Sequence, residues 1–231
     1  MQRRDYSQVT VVIPALNEAK SIPLVLEELP EVGRVVVVDN GSTDGTPEVA
    51  RRCGAEVVHQ PKRGYGNACQ AGIRAASTAS PPPFIVVILD GDHSDYPADL
   101  PLLVDPILDD EADMVLGDRT ALAEPGALLP HQRFGNQLAT RLIRRITGHR
   151  YRDMGPFRAV RFSSLMAMDM TDPNYGWNVE MQMKAVYGGL RIREVSVRYR
   201  SRVGVSKISQ TVRGSVAAGA KIIYSTWRYA R

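Results

Sequence analysis

Apolar runs alternate with segments of helical periodicity along the first half of the chain. The apolar runs predict strands over residues 9–15, 34–40, 55–60, 84–90 and 112–118. Helical spacing and helix-start signals such as Thr46–Pro47 predict helices over 21–29, 46–53, 66–79 and 97–108. Continuous Val/Ile strands separated by helices are typical of a parallel sheet covered on both faces. This half therefore predicts an α/β fold with a mostly parallel central sheet and helices on both faces.

The alternation of strands and helices changes after Asp118. Residues 120–132 contain two prolines and a glycine and are predicted to form a loop, followed by a basic helix over 133–147. A turn at 153–158 precedes a short strand, and a helix over 179–187 leads to a strand over 190–200. Because no internal repeat or linker divides the chain, we expect one domain over residues 1–231.

The charge distribution distinguishes the C-terminal end. The formal net charge is +4, yet from Val195 onward there are eight Lys and Arg residues and no acidic residue. A basic end on a mildly acidic body indicates an anionic partner: a phosphorylated ligand, a membrane surface or a nucleic acid. We expect residues 205–231 to form an amphipathic segment that docks on the domain or makes a peripheral contact with an anionic membrane.

Cysteine content and hydropathy bear on the cellular location. Cys53 and Cys69 are too few and too far apart for a disulfide framework or a zinc knuckle. The N-terminal residues carry charge but no apolar signal core, and no window reaches about 18 uninterrupted apolar residues. These features predict a cytoplasmic protein without a membrane span.

Polar clusters follow three of the predicted strands. Asn17–Glu18, Asp39–Asn40 and Asp90–Asp92 stand at the carboxyl ends of the first, second and fourth strands. Open parallel sheets bind ligands at this edge, so we expect the clusters to line one crevice. A carboxylate at the tip of a strand, such as Asp39, can accept a hydrogen bond from an N–H group of a nucleobase.

Asp90 and Asp92 are separated by one glycine, which puts both carboxylates on the same side of an extended segment. Gly91 lets another group approach the backbone closely. Two carboxylates so placed repel each other and favour a hard cation, Mg²⁺ or Mn²⁺, whose remaining ligands are often substrate phosphates. Asp95, just before Pro97, is predicted instead to cap the following helix.

Other residues are open to two interpretations. Gly64 and Gly66 precede a helix rich in small residues, which suits close approach of a phosphate or base but is neither a dinucleotide nor a P-loop signature. Asp153 is a candidate general base or a turn residue. Glu180 is a candidate general base or a first-turn helix carboxylate. His93 is expected in a loop rather than as a metal ligand.

The chain resembles glycosyltransferase family 2 in four successive segments, VVIPALNEAKSI, VVVVDNGSTDGT, RGYGNACQAGI and LDGDHSD. The later segments LGDR, RFGN, DMGPFR, YGWNVEMQMKA and REVSVRYRSRVGVSKIS are similar to the branch of dolichyl- and polyprenyl-phosphate sugar synthases, without that branch's transmembrane helices. The resemblance spans nearly the whole chain. It implies the GT-A (Rossmann-like) fold, a nucleotide-diphosphate sugar donor and a divalent metal, Mg²⁺ or Mn²⁺.

The resemblance also implies roles for individual residues. A nucleotide-sugar-binding half would cover about 1–118, an acceptor-side half about 119–204, and the basic segment about 205–231. The donor would contact Pro14, Ala15, Asn17, Glu18, Asp39, Gly64, Asp90, Gly91 and Asp92, with Asp92 and Asp90 at the metal. Donor and acceptor phosphates would meet Arg119, Arg133, Arg202 and Lys207. The candidate catalytic set is Asp90, Asp92, Arg119, Arg133, Asp153 and Glu180. Asn40 departs from the family pattern, in which an aspartate is common at this position.

The expected reaction is an inverting displacement of the nucleoside diphosphate from the anomeric carbon of a hexose. A phosphate monoester acceptor is largely ionised near neutral pH, because its second pKa is about 6, and it needs cations rather than a base. The many Arg and Lys residues after Asp118 favour such an acceptor, a polyprenyl or dolichyl phosphate. The sequence does not distinguish a UDP-glucose-like from a GDP-mannose-like donor, although a UDP-sugar is slightly favoured.

Three alternatives to this reaction follow from the same residues. A glycosyltransferase acting on a hydroxyl of a soluble small molecule or glycan would need a carboxylate base. A non-catalytic nucleotide-sugar-binding protein would not need both Asp90 and Asp92. A sugar-1-phosphate nucleotidyltransferase would need a Gly-rich basic loop after the first strand, where this chain has IPALNEAKS. Nucleic-acid binding is not expected, because no recognised module is present.

Overall fold

Seven strands form one sheet in the computed structural model, which describes residues 4–204, 224 and 226–230. The strands are β1 (Val9–Ala15), β2 (Arg34–Asp39), β3 (Glu56–His59), β4 (Ile85–Ile88), β5 (Met114–Ala123), β6 (Arg158–Arg161) and β7 (Ile192–Tyr199). The helices are α1 (Ile22–Glu28), α2 (Thr46–Arg52), α3 (Tyr65–Ser77), α4 (Leu100–Leu108), α5 (Pro130–Thr147), α6 (Phe162–Ala167) and α7 (Trp177–Tyr187). A short 3₁₀ turn over Pro97–Asp99 precedes α4.

The strand order is β3-β2-β1-β4-β6-β5-β7. Strands β1 to β4 are mutually parallel, as are β5 and β7, while β6 runs antiparallel to both of its neighbours, β4 and β5. The mostly parallel α/β sheet is thus confirmed, with β6 as the exception. Strand β6 follows the turn at 153–158. It lies between β4 and β5, both of which precede it in the chain.

Apolar cores lie on both faces of the sheet. Val12 packs in one cluster with α3 and α7, while its neighbours Val11 and Ile13 pack in the other with α1 and α4. This explains the continuous Val/Ile runs, because side chains on both sides of each strand are removed from water. The small residues of α3 have the predicted packing role: a Cβ on Gly72 would lie 2.3 Å from a methyl group of Val12.

The predicted loop at 120–132 is wrong in its first part. Strand β5 continues to Ala123, because after a register irregularity its end pairs with β7 at Leu122↔Arg198 and Ala123↔Tyr199. Helix α5 begins at Pro130, three residues before the predicted start, with the proline in its first turn. Helix α6 was not predicted, since its six residues are too few to give a periodic signal.

The basic C-terminal segment lies mostly outside the described residues, including Lys207 and the range 205–223. Near its end, Thr226 is buried and Tyr229 packs on the core cluster that contains α7, while the Trp227 side chain is 77% exposed. These contacts show that this last part docks on the domain. None of the helices in the described part of the chain is both long and apolar enough to cross a membrane.

Candidate active site at the carboxyl ends of the strands

The loops after β1 and β2 are tied to each other by side chains from both. Asn17, held at a φ of 52°, donates its backbone N–H to Ser42 Oγ at 2.9 Å and accepts from the Thr43 amide at 2.7 Å. The Glu18 amide donates to Thr46 Oγ1 at 2.8 Å. The structure thus brings the predicted cluster Asn17–Glu18 to the crevice edge beside the β2–α2 loop.

Pro14 and Ala15 form the floor of this edge. Ala15 is buried, and its carbonyl accepts from the Asn40 amide at 2.9 Å. The Pro14 carbonyl lies 3.3 Å from the position that a Cβ on Gly91 would occupy, and Ile13 and Ile22 are equally close. The group that approaches Gly91 is therefore the first strand and its helix, so the glycine keeps the Asp90–Asp92 segment against β1.

Asp39 is held in place by two donors at the tip of β2. The carboxylate is buried; Oδ1 accepts from the Ser42 amide at 2.9 Å, and Oδ2 lies 2.9 Å from Nδ1 of His59. Burial by itself would raise the pKa of Asp39, but the hydrogen bonds from Ser42 and His59 outweigh it, so the pKa lies below its ordinary value. Asp39 is thus an oriented, ionised acceptor, and His59 is 63% exposed beside it.

Asn40 clamps the loop between β3 and α3. Its Nδ2 donates to the carbonyls of Gln60 and Lys62 at 2.9 and 2.8 Å, and its Oδ1 accepts from the Gly64 amide at 2.7 Å. An aspartate could make the last of these bonds but not the first two, because it has no N–H to donate. The departure from the family pattern is therefore a structural adaptation of this loop.

Gly64 has a packing function in the same loop. At its φ of +136°, a Cβ would lie 2.3 Å from both the Pro173 carbonyl and the Asn174 side chain. A larger residue at this position would push the β3–α3 loop off the segment before α7. A contact between Gly64 and a donor stays a prediction.

Asp90 and Asp92 are adjacent carboxylates at the end of β4. The Asp90 side chain is largely buried, and its Oδ1 has no hydrogen-bond partner among the described residues. Burial, and next the charge of Asp92, raise the pKa of Asp90 to about 7. Burial and the neighbouring charge of Asp92 thus disfavour the ionised form of Asp90, and a divalent cation would stabilise it. The two carboxylates fit such a cation if a diphosphate supplies its other ligands. Among the residues described, no group of three or more His, Cys, Asp or Glu side chains is arranged to hold a metal ion.

Arg202, three residues after β7, contacts both the Asn17–Glu18 cluster and the Asp90–Asp92 cluster. One of its guanidinium nitrogens lies 3.2 Å from Asp92 Oδ2, and another donates to Glu18 Oε1 at 2.8 Å. Asp92 Oδ1 accepts from the amide and the hydroxyl of Ser94 at 3.0 and 2.6 Å. Ser94 therefore orients the Asp92 carboxylate, and Arg202 places a positive charge beside it.

The predicted helix-capping role of Asp95 is wrong. Neither the 3₁₀ turn nor α4 has a side-chain cap hydrogen bond, and Asp95 instead pairs through its backbone with Tyr199. The residue is 1% exposed, and both of its carboxyl oxygens lack a hydrogen-bond partner within the described residues. Burial, and then the charge of Asp90, raise its pKa well above the ordinary value, which favours the neutral form of Asp95.

Arg119 and Asp153 form a buried ion pair beside the aspartates. Nε and Nη2 of Arg119 donate to the two carboxylate oxygens of Asp153 at 2.7 and 2.9 Å. Burial would raise the pKa of Asp153, but the charge and hydrogen bonds of Arg119 keep it below its ordinary value. The positive charge of Arg119 also acts on Asp90 and Asp95. The pair therefore belongs to the electrostatic environment of the site.

A cavity of about 180 Å³ opens next to this ion pair. Its walls include Arg119, Asp153, Arg133, Arg152, Asn136 and Gln132. Among the described residues that line it, Asp153 is the only acidic side chain, and both of its oxygens are already bonded to Arg119. The cavity thus presents guanidinium and amide donors, a set that suits a phosphate.

Glu180 lies apart from this cavity. It is fully buried at the start of α7, where it accepts from the amides of Thr171 and Asp172 at 2.9 and 2.7 Å and pairs with Lys184 at 2.8 Å. This geometry supports the alternative interpretation, a first-turn carboxylate with a structural role, and not a general base. Lys207 lies outside the described residues.

Sequence reasoning missed the contributions of His59, Asn136 and Arg152. His59 is the last residue of β3, so the rule that placed Asp39 at a strand tip applied to it as well. Asn136 stands in the RFGN segment and accepts from the Met154 amide at 2.7 Å, which joins α5 to the turn that carries Asp153. Arg152 gave no signal, because only the folded turn brings it to the cavity.

Comparisons with known proteins identify the family of the chain. A family model described as glycosyl transferase family 2 matches residues 10–168. An uncharacterized glycosyltransferase of Mycobacterium tuberculosis is 41% identical over 91% of this chain and 94% of its own length. A dolichyl-phosphate hexose transferase of Haloferax volcanii is 33% identical, with 96% of each chain covered. An undecaprenyl-phosphate mannosyltransferase of Micrococcus luteus is 32% identical over 95% of this chain and 93% of its own.

Solved structures share the fold. Glucosyl-3-phosphoglycerate synthase from Mycobacterium tuberculosis, in complex with Mn²⁺, UDP and glucosyl-3-phosphoglycerate, aligns with a TM-score of 0.76 at 22% identity. The alignment covers 96% of this chain and 79% of the synthase. Family model, relatives and fold lead to one assignment: the chain is a GT-A glycosyltransferase that belongs to glycosyl transferase family 2.

Proposed function

We propose that this glycosyltransferase moves a hexose from a nucleotide-diphosphate sugar to the phosphate of a polyprenyl phosphate, with inversion at the anomeric carbon. The observation that carries the proposal is the cavity lined by Arg119 and Arg133. Its single acidic side chain among the described residues, Asp153, is neutralised by Arg119. A hydroxyl acceptor needs a base there, whereas a phosphate monoester needs cations. The names of the Haloferax and Micrococcus relatives, which both include a polyprenyl phosphate, support the same acceptor class.

The donor half of the site binds and orients the nucleotide. Asp39, ionised and fixed by Ser42 and His59, accepts from an N–H of the base, while the loop around Asn17 borders the nucleoside. Asp92 and Asp90 are the residues that would hold Mg²⁺ or Mn²⁺. When bound, such an ion neutralises negative charge that develops on the departing diphosphate. Arg202 adds a fixed cation on the same side of the site.

The acceptor half holds the nucleophile. Arg119, oriented by Asp153, and Arg133 contact the acceptor phosphate, which arrives ionised and needs no proton removed. One phosphate oxygen forms a bond to the anomeric carbon on the face opposite the diphosphate. The bond from that carbon to the β-phosphate oxygen breaks, and the nucleoside diphosphate leaves with the electron pair. Positioning of two anions by arginines and metal is the main catalytic contribution of the chain.

A panel of donors and acceptors tests the proposal. UDP-glucose, GDP-mannose and related donors are incubated with a short-chain polyprenyl phosphate, with the corresponding prenol, or with a soluble hydroxyl acceptor such as 3-phosphoglycerate. We expect one donor to be consumed with the polyprenyl phosphate only, and a chelator to abolish the release of nucleoside diphosphate. Transfer to the prenol or to 3-phosphoglycerate at equal rates would contradict the acceptor. Pyrophosphate formation from a nucleoside triphosphate would contradict the reaction class.

A further inference from the structure

A second cavity shares one wall residue with the first cavity, which lies next to the Arg119–Asp153 pair. The second cavity has a volume of about 490 Å³, against about 180 Å³ for the first. It lies at β7, the edge strand of the sheet, and we call it the edge cavity. The residues that line it are Arg150, Arg152, Ile192, Arg193 and Glu194.

Tyr151 fixes the direction of two of these arginines. Its side chain is buried, and its hydroxyl donates to the carbonyl of Gln182 at 2.8 Å. Arg150 and Arg152, on either side of this inward side chain, are both exposed and both line the edge cavity. The buried tyrosine therefore holds two guanidinium groups at one opening.

The arginines of the edge cavity are only partly neutralised. Arg150 has no ion-pair or side-chain hydrogen-bond partner among the described residues. Arg152 lies 3.9 Å from Asp118, at the outer limit of an ion pair, and its side chain is 67% exposed. Arg193 pairs with Glu111 at the surface, where both side chains are about half exposed. Because exposed ion pairs of this kind contribute little, all three guanidinium groups are available to an anion.

Glu194 is the single acidic side chain among the described residues that line the edge cavity. Its Oε1 accepts from the amides of Arg152 and Asp153 at 2.8 and 3.2 Å, which fixes the carboxyl group under the turn. Burial raises the pKa of Glu194 above its ordinary value and so disfavours its negative charge. The edge cavity thus keeps a net positive charge, and its guanidinium groups suit bidentate contacts to phosphate oxygens.

Arg152 belongs to both cavities, and its backbone is held between them. Its amide donates to Glu194 of the edge cavity, and its carbonyl accepts from Asn136 of the first cavity at 3.2 Å. Its side chain has only the long contact to Asp118 among the described residues. One guanidinium group on a fixed backbone cannot serve an anion in both cavities at once.

We propose that the edge cavity is a second anion site, which binds a soluble oligophosphate such as pyrophosphate or tripolyphosphate. Its occupation draws Arg152 out of the first cavity and lowers the affinity for an acceptor phosphate there. By linkage, an acceptor phosphate lowers the affinity for the oligophosphate by the same factor. The site itself goes beyond the proposed function, whereas the antagonism rests on it.

The lining of the edge cavity favours an oligophosphate over a nucleic acid. Ile192 is the one apolar side chain among the described residues that line it, and none of those residues is aromatic. Bases of a single strand would therefore find no ring on which to stack. Three arginines from two separate segments exceed what one phosphate group engages, which favours an anion with several phosphates.

Calorimetry of the full chain with tripolyphosphate tests the site. A chelator is present, and sugar donor and acceptor are omitted, so that no metal–phosphate complex forms at the aspartates. The test variant is Arg150→Gln/Arg193→Gln, which changes the edge cavity and not the first cavity. Its matched control, with the same change in net charge, is Arg144→Gln/Arg145→Gln, on exposed positions of α5. Thermal unfolding verifies that both variants fold.

We expect the test variant to lose about tenfold or more in affinity for tripolyphosphate, because two of the three guanidinium groups are removed. The control should stay within about twofold, because salt screens distant surface charges. Inorganic phosphate should bind the unmodified chain severalfold more weakly than tripolyphosphate. Equal affinities of the unmodified chain and the test variant, equal losses in test variant and control, or no binding of tripolyphosphate would each overturn the site.

Steady-state kinetics with a short-chain polyprenyl phosphate test the shared arginine, with the free metal concentration held constant. Tripolyphosphate should raise the KM for this acceptor in the unmodified chain and in the control, with kcat unchanged. It should have little effect in the test variant. Arg152→Gln should raise the KM by itself and remove the sensitivity to tripolyphosphate.

An equal rise of the KM in the test variant and the unmodified chain would put the competing anion in the first cavity and overturn the antagonism. The calorimetry uses neither a sugar donor nor a polyprenyl phosphate. A failure of the proposed reaction and a failure of the edge cavity are therefore separately visible.

Discussion

A guanidinium nitrogen of Arg202 lies 3.2 Å from the carboxylate of Asp92, although the two residues are 110 positions apart in the sequence. A cation from the chain thus contacts the carboxylate that we propose as a metal ligand. Arg202 and a divalent ion act on the same oxygen atoms, so their binding is coupled electrostatically.

The first prediction concerns this coupling. Arg202→Gln removes the positive charge beside Asp92, and we expect Mn²⁺ alone to bind a few-fold more tightly. The KM for the sugar nucleotide should rise about tenfold, because a contact to its phosphates is lost. Calorimetry of Mn²⁺ binding and steady-state kinetics measure the two effects. Arg200→Gln, which instead breaks a pair with Glu28, is the control, and an equal gain in Mn²⁺ affinity there would contradict the assignment.

The second prediction concerns Asp95 and the pH dependence of the free energy of unfolding. Its folded-state pKa lies well above the ordinary value near 3.9, so the folded chain keeps a proton that the unfolded chain releases. The free energy of unfolding contributed by this group is present below about pH 4 and is lost as the pH rises toward the folded pKa. Asp95→Asn keeps a neutral polar side chain that does not titrate. The free energy of unfolding of this variant should therefore decrease less as the pH rises.

Urea denaturation at pH 5 and pH 8, in the presence of a chelator, measures this difference. The exposed residue Glu27 on α1 provides the matched control, Glu27→Gln. If the pH dependence of unfolding were identical in the Asp95→Asn variant and the original chain, the neutral form of Asp95 would be excluded.

The third prediction concerns the base pocket. His59→Ala removes one of the two groups that fix Asp39, and we expect nucleotide affinity to fall about tenfold. Because Asp39 is proposed to touch the base, the dissociation constants of UMP and UDP should rise by the same factor. Asp92→Asn should instead weaken UDP with Mn²⁺ and leave UMP unaffected. Lys62→Ala, at an exposed neighbouring position, is the control, and a larger effect on UDP than on UMP in His59→Ala would refute the base contact.

The fourth prediction tests whether Asp153 positions Arg119 or acts as a general base. Asp153→Asn breaks the bidentate pair and leaves Arg119 less well oriented, so the KM for a phosphate acceptor should rise about tenfold or more. The acidic limb of the pH–rate profile should keep its shape, because no proton is transferred to Asp153. Removal of a general base would instead lower kcat by about 10²-fold or more and abolish that limb.

The position of the site was predictable because parallel sheets bring strand ends together. The residues Asp39, Asp90 and Asp92 follow continuous Val/Ile runs, and the structure puts each at a strand tip, as the pattern indicated. The fold class followed from the same runs. The apolar runs and the aspartates that follow them are local features of the sequence. A single rule, that parallel sheets bind ligands at the carboxyl ends of their strands, accounts for all three positions.

Pairings between distant segments were not predictable from local patterns. The buried state of Asp95 depends on Tyr199, and the neutralisation of Asp153 depends on Arg119. The extension of β5 to Ala123 required the end of β7 as its partner. In each case a residue with an ordinary local interpretation acquires its role from a contact made only in the folded chain.

Strand β7 ends beside the aspartates, and the residues after it complete the site. The Arg200 and Val203 amides donate to the carbonyls of Ser94 and Asp92, and Arg202 reaches Glu18, 184 positions earlier. During synthesis, a chain that ends before β7 contains every carboxylate of the donor pocket but not the arginine that closes it. The proposed donor pocket is therefore assembled only after the residues that follow β7 have been synthesised, because a shorter chain lacks the contacts of Arg202 to Glu18 and Asp92.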